Sequence, residues 1–122
     1  MFLAISPLSF YSNGPDLRRL WMKGKLPTVK YGFYGDLLTE KNVTREHLKP
    51  ASYGGRRSVD NIVLASKEKN NARGNDDINN YADKMTVRQY LAQFIDVKVK
   101  EFSGNKYIMG ILERLKSLGF EP

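Results

Sequence analysis

The residues able to do chemistry in this chain cluster between positions 46 and 74. Glu46-His47 sets a carboxylate directly beside the only histidine of the sequence. Asn61 follows, and Asn70-Asn71-Ala72-Arg73-Gly74 closes the stretch. A lone imidazole next to an acid can take a proton from water near neutral pH, because its ordinary pKa is about 6.5. Each residue also has a plainer use. A Glu-His pair can be a hydrogen-bonded surface pair, and Asn61 can satisfy backbone groups in a turn. Asn70 and Asn71 can be helix-end residues, and Gly54-Gly55 an ordinary loop.

The elements that must position these residues read as strand, Gly-rich loop, strand, helix. Residues 43–48 form a strand candidate, residues 50–60 a loop by their Pro, Ser and Gly content, and residues 61–65 a second strand. Ser66 can cap a short helix that Gly74 ends. Ahead of this unit, residues 1–14 read as an extended segment ending in a turn at Ser12-Asn13-Gly14. Pro15 suits the first turn of a helix through Met22, with Gly24 as its stop and Pro27 beyond. Tyr31, Phe33 and Tyr34, punctuated by Gly32 and Gly35, read as a loop or edge strand. Residues 75–84 are polar and patternless, which marks a linker.

The C-terminal third carries the strongest helical pattern. Thr86-Val87-Arg88-Gln89 has capping-box spacing. Val87, Tyr90, Leu91, Phe94, Ile95, Val99 and Phe102 then recur at three- and four-residue steps on one face. Ser103-Gly104 breaks the pattern. Tyr107, Ile108, Ile111, Leu112, Leu115 and Leu118 face inward on a last helix that Gly119 ends. The two helices are predicted to pair as a hairpin over residues 86–118, sharing one core with alternating residues of the 61–65 strand.

Composition bounds the function. At 122 residues the chain fits a single domain, and 41% hydrophobic residues supply a modest core, which excludes a disordered chain. The formal charge of +7, from 20 basic and 13 acidic residues, favours a polyphosphate partner through counterion release. A solvated basic surface is the plainer reading of the same excess. With no cysteine there is neither a disulfide framework nor a thiolate zinc site. Apolar runs at 2–5 and 61–65 are too short to span a bilayer, and no secretory leader pattern opens the chain. A cytoplasmic protein fits these features.

Taken together, the spacings from Glu46 to Gly74 resemble the HNH nuclease family, also called ββα-metal or His-Me finger nucleases. That family's pattern runs acid-His, a proline two or three positions on, Ser-x-Gly-Gly, an asparagine opening the second strand, and Asn-x-x-Lys-Gly closing the helix. Here the pieces are Glu46-His47, Pro50, Ser52-Tyr53-Gly54-Gly55, Asn61-Ile62-Val63-Leu64 and Asn70-Asn71-Ala72-Arg73-Gly74. The resemblance implies an α+β fold with a ββα-metal finger over residues 43–74, an N-terminal flank at 1–42 and the helical hairpin behind it. It implies a DNA endonuclease in which His47 is the general base, Glu46 and Asn70 are metal ligands, and Asn61 braces the loop and orients the imidazole. Arg73 stands where the family usually has lysine, a place suited to a phosphate contact.

Three departures accompany the match. The Cys-x-x-Cys pairs that hold a structural zinc in many members are absent, so no structural zinc is expected and packing must supply that stability. The acid is Glu46 where aspartate is commoner. The third signature residue is Asn70 rather than histidine, a variant the family also uses. A carboxylate and an amide carbonyl offer only oxygen donors, which suits Mg²⁺ or Mn²⁺ better than zinc.

DNA is the expected partner, with no membrane and no small-molecule cofactor. Phosphate contacts are expected from Arg56, Arg57 and Arg73 beside the site, and from a separate basic stretch of Arg18, Arg19, Lys23 and Lys25. A monomer that nicks one strand is expected over a dimer that cuts both. Compact basic members of this kind look like those of phages and mobile elements, which implies the cytoplasm of a bacterial host or phage-infected cell. The alternatives are a DNA-binding module without catalysis, or an interaction protein whose C-terminal hairpin recruits a partner.

Overall fold

The computed structural model describes residues 15–122; the extended segment and Ser12-Asn13-Gly14 turn expected ahead of them lie outside the described residues. In chain order come helix α1 (Leu17–Met22), strands β1 (Val43–His47) and β2 (Ile62–Ser66), helices α2 (Lys67–Arg73) and α3 (Lys84–Ala92), strands β3 (Lys98–Val99) and β4 (Phe102–Ser103), and helix α4 (Gly104–Ser117). The described residues therefore form an α+β fold with two small antiparallel sheets, β1–β2 and β3–β4. Among them no helix is long and apolar enough to cross a membrane.

β1 and β2 pair from Val43 against Ser66 to His47 against Ile62. All five residues of β2 are buried, so the strand shows no inside-outside alternation. Among the described residues its edge away from β1 meets side chains and a loop, not a third strand. The Leu64 carbonyl accepts from the Phe33 amide at 2.8 Å, and the Leu64 amide donates to the Tyr90 hydroxyl at 3.0 Å. Tyr107 donates its hydroxyl proton to the Ile62 carbonyl at 2.8 Å. That leaves Tyr90 as the donor in the 2.9 Å contact between the two hydroxyls. Two buried tyrosines from α3 and α4 thus finish an edge that would otherwise expose unpaired backbone groups.

Short polar caps begin the helices. Asp16 accepts from the Arg19 amide at α1, and Ser66 accepts from the Lys69 amide at α2. For α1 the cap falls one residue after Pro15. At α3 the expected start is corrected: Asp83, not Thr86, is the cap, and Thr86 donates both its amide and its hydroxyl to the Asp83 carboxylate.

The C-terminal hairpin of helices is also corrected. α3 stops at Ala92 instead of running to Phe102, Asp96 takes a left-handed conformation (φ 63°), and β3–β4 forms a two-residue-per-strand ribbon before α4. The Val97-Lys98-Val99-Lys100 sequence explains the change, since β-branched residues alternating with lysines suit a half-exposed strand. Gly104 seals the junction: a Cβ there would lie 2.0 Å from the Phe94 carbonyl oxygen, so only glycine permits the approach. Phe102 still reaches the core, packing on Phe94 and Tyr107 with ring centroids 6.2 Å and 5.4 Å away. Ile95 and Leu112, both expected inside, are exposed.

The core joins the regions. Phe33, Tyr90, Phe94, Tyr107 and Phe102 form a chain of ring contacts, and Leu48, Leu64, Ile111 and Leu115 pack in the same buried cluster. The segment read as a linker contributes as well. Ile78 is buried in a single 3-10 turn, Ile78–Asn80, and Asn79 donates to the Leu118 carbonyl.

Candidate catalytic site

β1 brings the acid and the imidazole to its C-terminal end on successive residues, so their side chains leave the strand toward opposite faces. Thr44 and Glu46 share one face, and α2 covers it. Asn70 donates through Nδ2 to the Thr44 hydroxyl at 3.0 Å and the Arg45 carbonyl at 3.1 Å, and its Oδ1 has no hydrogen bond among the described residues. One turn later on α2, Arg73 lies 3.5 Å from Glu46 Oε2. The structure therefore gathers Glu46, Asn70 and Arg73 on one side of β1.

Glu46 is 3% exposed. Tyr34 donates its hydroxyl to Glu46 Oε2 at 2.7 Å, the same oxygen that faces Arg73. Burial pushes the Glu46 carboxyl above its ordinary range, while the Tyr34 hydrogen bond and the Arg73 charge pull the other way. The phenol of Tyr34 is raised in turn by burial and by the Glu46 charge, so it stays a donor. Both of these contacts fall on Oε2, and the backbone amide of His47 also helps to hold the carboxylate. Tyr34 had no signal in the sequence, because it sits twelve residues upstream in a loop whose motif is only Tyr-Gly-Phe-Tyr-Gly.

Arg73 corrects an expectation. It is 3% exposed, and its guanidinium donates to the carbonyls of Asp76 (2.8 Å), His47 (2.7 Å) and Leu48 (2.9 Å). With those bonds and Glu46 around it, Arg73 is an internal clamp between the end of α2 and the exit of β1, not a group that reaches phosphate. A rigid guanidinium fork serves several carbonyls at once, which a lysine ammonium does less well.

Asn61 is 1% exposed and braces the loop on both sides: its Oδ1 accepts from the Lys49 amide, and its Nδ2 donates to the Lys49 and Arg56 carbonyls. It makes no hydrogen bond to the imidazole, so any influence on His47 runs through the Leu48-Lys49 backbone. Gly55 makes the loop possible, since a Cβ there would lie 1.7 Å from the Lys49 carbonyl oxygen.

His47 is half-buried, and its ring holds no hydrogen bond among the described residues. Burial lowers its pKa below the ordinary value, and the charges of Arg57 and Arg73 lower it further. Both charges come from outside β1, Arg57 from the β1–β2 loop and Arg73 from the end of α2.

The basic residues divide. Arg56 and Arg57 are exposed on the loop, with Arg57 3.5 Å from Asp16. Arg45 pairs with the same Asp16, through Nε to Oδ1 at 2.9 Å and through a second contact to Oδ2, and these partners hold the Asp16 carboxyl below its usual range. Arg18 donates through Nε to the Val43 carbonyl at the far end of β1. α1 therefore starts beside Arg57 and runs away from His47, carrying exposed Lys23 and Lys25 with it. Arg18, Arg19, Lys23 and Lys25 are not brought to the site.

Glu46 and Asn70 would offer a metal only oxygen donors, with Tyr34 and Arg73 on the Glu46 carboxylate and Thr44 and Arg45 on the Asn70 amide nitrogen. Among the described residues no group of three or more His, Asp or Glu side chains could hold an ion. The donor set fits a hard cation completed by water and substrate phosphate. No family model matches the chain, and neither does any curated protein or solved structure.

Proposed function

We propose that this protein is a metal-dependent endonuclease that hydrolyses DNA phosphodiester bonds, with residues 43–74 acting as a ββα-metal finger. The observation that carries the reading is the division of β1: a base with depressed pKa leaves one face, and the anchored oxygen pair of Glu46 and Asn70 lies on the other. A phosphodiester at the C-terminal end of β1 would meet the proton acceptor and the cation site from different sides, which suits in-line displacement. His47 takes the proton from the attacking water, and its low pKa keeps it neutral and ready at physiological pH. Glu46 and Asn70 would hold a Mg²⁺ or Mn²⁺ ion, which when bound supplies charge neutralisation for the leaving oxygen. Tyr34 and Arg73 fix the orientation of the Glu46 carboxylate. Arg56 and Arg57 supply phosphate contacts with little sequence preference, and one site per chain makes a nick the product of a monomer.

A second reading, a DNA-binding module without catalysis, has one observation in its favour: Glu46 is buried against Arg73 and satisfied in part by Tyr34. Conversion of supercoiled plasmid to open circle separates the two. The nuclease reading expects nicking that requires Mg²⁺ or Mn²⁺ and falls roughly 10²- to 10⁴-fold in His47→Ala, with the circular dichroism spectrum unchanged. DNA binding by the wild-type protein without metal-dependent nicking leaves only the binding module, and undiminished nicking by His47→Ala, after removal of contaminating nuclease, removes His47 as the base.

A further inference from the structure

A groove of about 460 Å³ opens beside the β1–β2 loop, and its size and lining suit one nucleobase. Buried Leu48 and Ile78, with half-buried Leu118, supply an apolar base to it. Tyr53 stands at its edge, 66% exposed, with a ring that touches no other aromatic and a hydroxyl that holds no hydrogen bond among the described residues. This exposed ring is nevertheless firmly carried. The Tyr53 and Gly55 amides both donate to the Pro50 carbonyl, at 3.0 Å and 2.9 Å, and Asn61 pins the loop from below. An aromatic face held out on a braced turn is a stacking platform that costs little to order.

The opposite rim tells base from phosphate. Asp76 and Asp77 line the groove, each with Oδ1 engaged by neighbouring groups. Their Oδ2 atoms take no hydrogen bond among the described residues. These carboxylates repel a phosphate and accept from the exocyclic amine or ring N–H of a base. Lys49, on the loop side, is placed for the backbone of the same nucleotide.

Position links the groove to the site. Leu48 follows His47 directly, and Arg73 is three residues past Asn70, about 4.5 Å along the helix axis. A strand with its phosphate at His47 therefore has a neighbouring nucleotide at the groove. A paired base is stacked inside its duplex and cannot enter. We propose that the groove takes one unpaired base of the substrate strand, which makes branched, bulged or single-stranded DNA the preferred substrate class; this rests on the nuclease reading above.

The test titrates the full-length protein, in EDTA, into a DNA hairpin carrying one unpaired 2-aminopurine, and into the same hairpin with that probe paired to thymine. Stacking on Tyr53 should quench the unpaired probe and leave the paired one unchanged. Tyr53→Leu should bind the unpaired DNA roughly five- to hundredfold more weakly and lose the quench, whereas Tyr53→Phe should keep both. Equal quenching of paired and unpaired probes, or an unaltered Tyr53→Leu, overturns the groove assignment. Because no metal is present, this readout is independent of cleavage. A protein that quenches yet never nicks keeps the groove and loses the nuclease reading; one that nicks duplex and unpaired DNA equally, without quenching, does the reverse.

Discussion

The hairpin-and-helix unit at residues 43–74 and the C-terminal region at residues 84–120 are held together by different forces. In the first, polar side chains bind backbone: Asn61 to the loop, Asn70 to β1, Arg73 to three carbonyls. In the second, a run of aromatic contacts through Tyr90, Phe94, Phe102 and Tyr107 does the work, with Gly104 admitting the closest approach. Polar bonds fix direction over short distances but add little net stability each, about 1 kcal/mol. Apolar burial adds stability without direction. The candidate site is thus built in the region that specifies geometry, and it borrows stability from the other through β2.

The largest expected effect breaks the first region from inside. Arg73→Met removes a buried guanidinium and leaves Glu46 and three carbonyls exposed to its loss, so urea denaturation should show about 3–5 kcal/mol of destabilisation. Adding Glu46→Gln should recover part of that loss, since the uncompensated carboxylate is gone. If Arg73→Met instead kept full stability and lost only DNA affinity, the clamp would be wrong and the phosphate contact right.

Cutting the link between regions should cost less. Tyr107→Phe leaves the Ile62 carbonyl and the Tyr90 hydroxyl short of a partner, about 1–3 kcal/mol by equilibrium unfolding. Hydrogen exchange at β2 should rise with it, and exchange that rose only in α4 would show that the tyrosine pair does not couple the regions.

The pH dependence sharpens the site's half of the comparison. A lowered folded-state pKa means that the native protein binds fewer protons at His47 than the unfolded chain does. Stability from this group therefore rises with pH across the window from the depressed value up to about 6.5. With metal and substrate saturating, nicking should rise with pH and reach half its plateau below that ordinary value. Arg57→Ala removes one of the charges that depress the imidazole, so its midpoint should move upward. A midpoint that stayed put would remove Arg57 from the account of His47.

The smallest expected effect concerns the two basic groups. Arg56→Ala should lower the slope of log affinity against log salt by about 1, whereas Lys23→Ala and Lys25→Ala should leave it unchanged. Equal changes at all three would return α1 to the DNA surface.

Much of the hairpin-and-helix unit was legible because its signals are local. Two short strands, a Gly-rich loop, a serine cap and a closing glycine each follow from the dihedral preferences and hydrogen-bonding reach of residues close in sequence. The α+β class, the single imidazole and the oxygen-only donor set are likewise properties of residue type. The C-terminal pattern misled because Val99 and Phe102 satisfy a helical spacing while the chain around them satisfies a strand, and periodicity alone does not weigh the two.

Tertiary structure decided the rest. Whether Arg73 met phosphate or carbonyl depended on how α2 crosses β1, and the fate of Arg18, Lys23 and Lys25 depended on the direction in which α1 leaves Asp16. Tyr34 reaches Glu46, and Tyr107 reaches Ile62, across 12 and 45 residues of chain. Local chemistry states what a side chain can do. Only the packing of distant segments determines which partner stands within its reach, and so which groups are buried as scaffold and which remain free to meet a substrate.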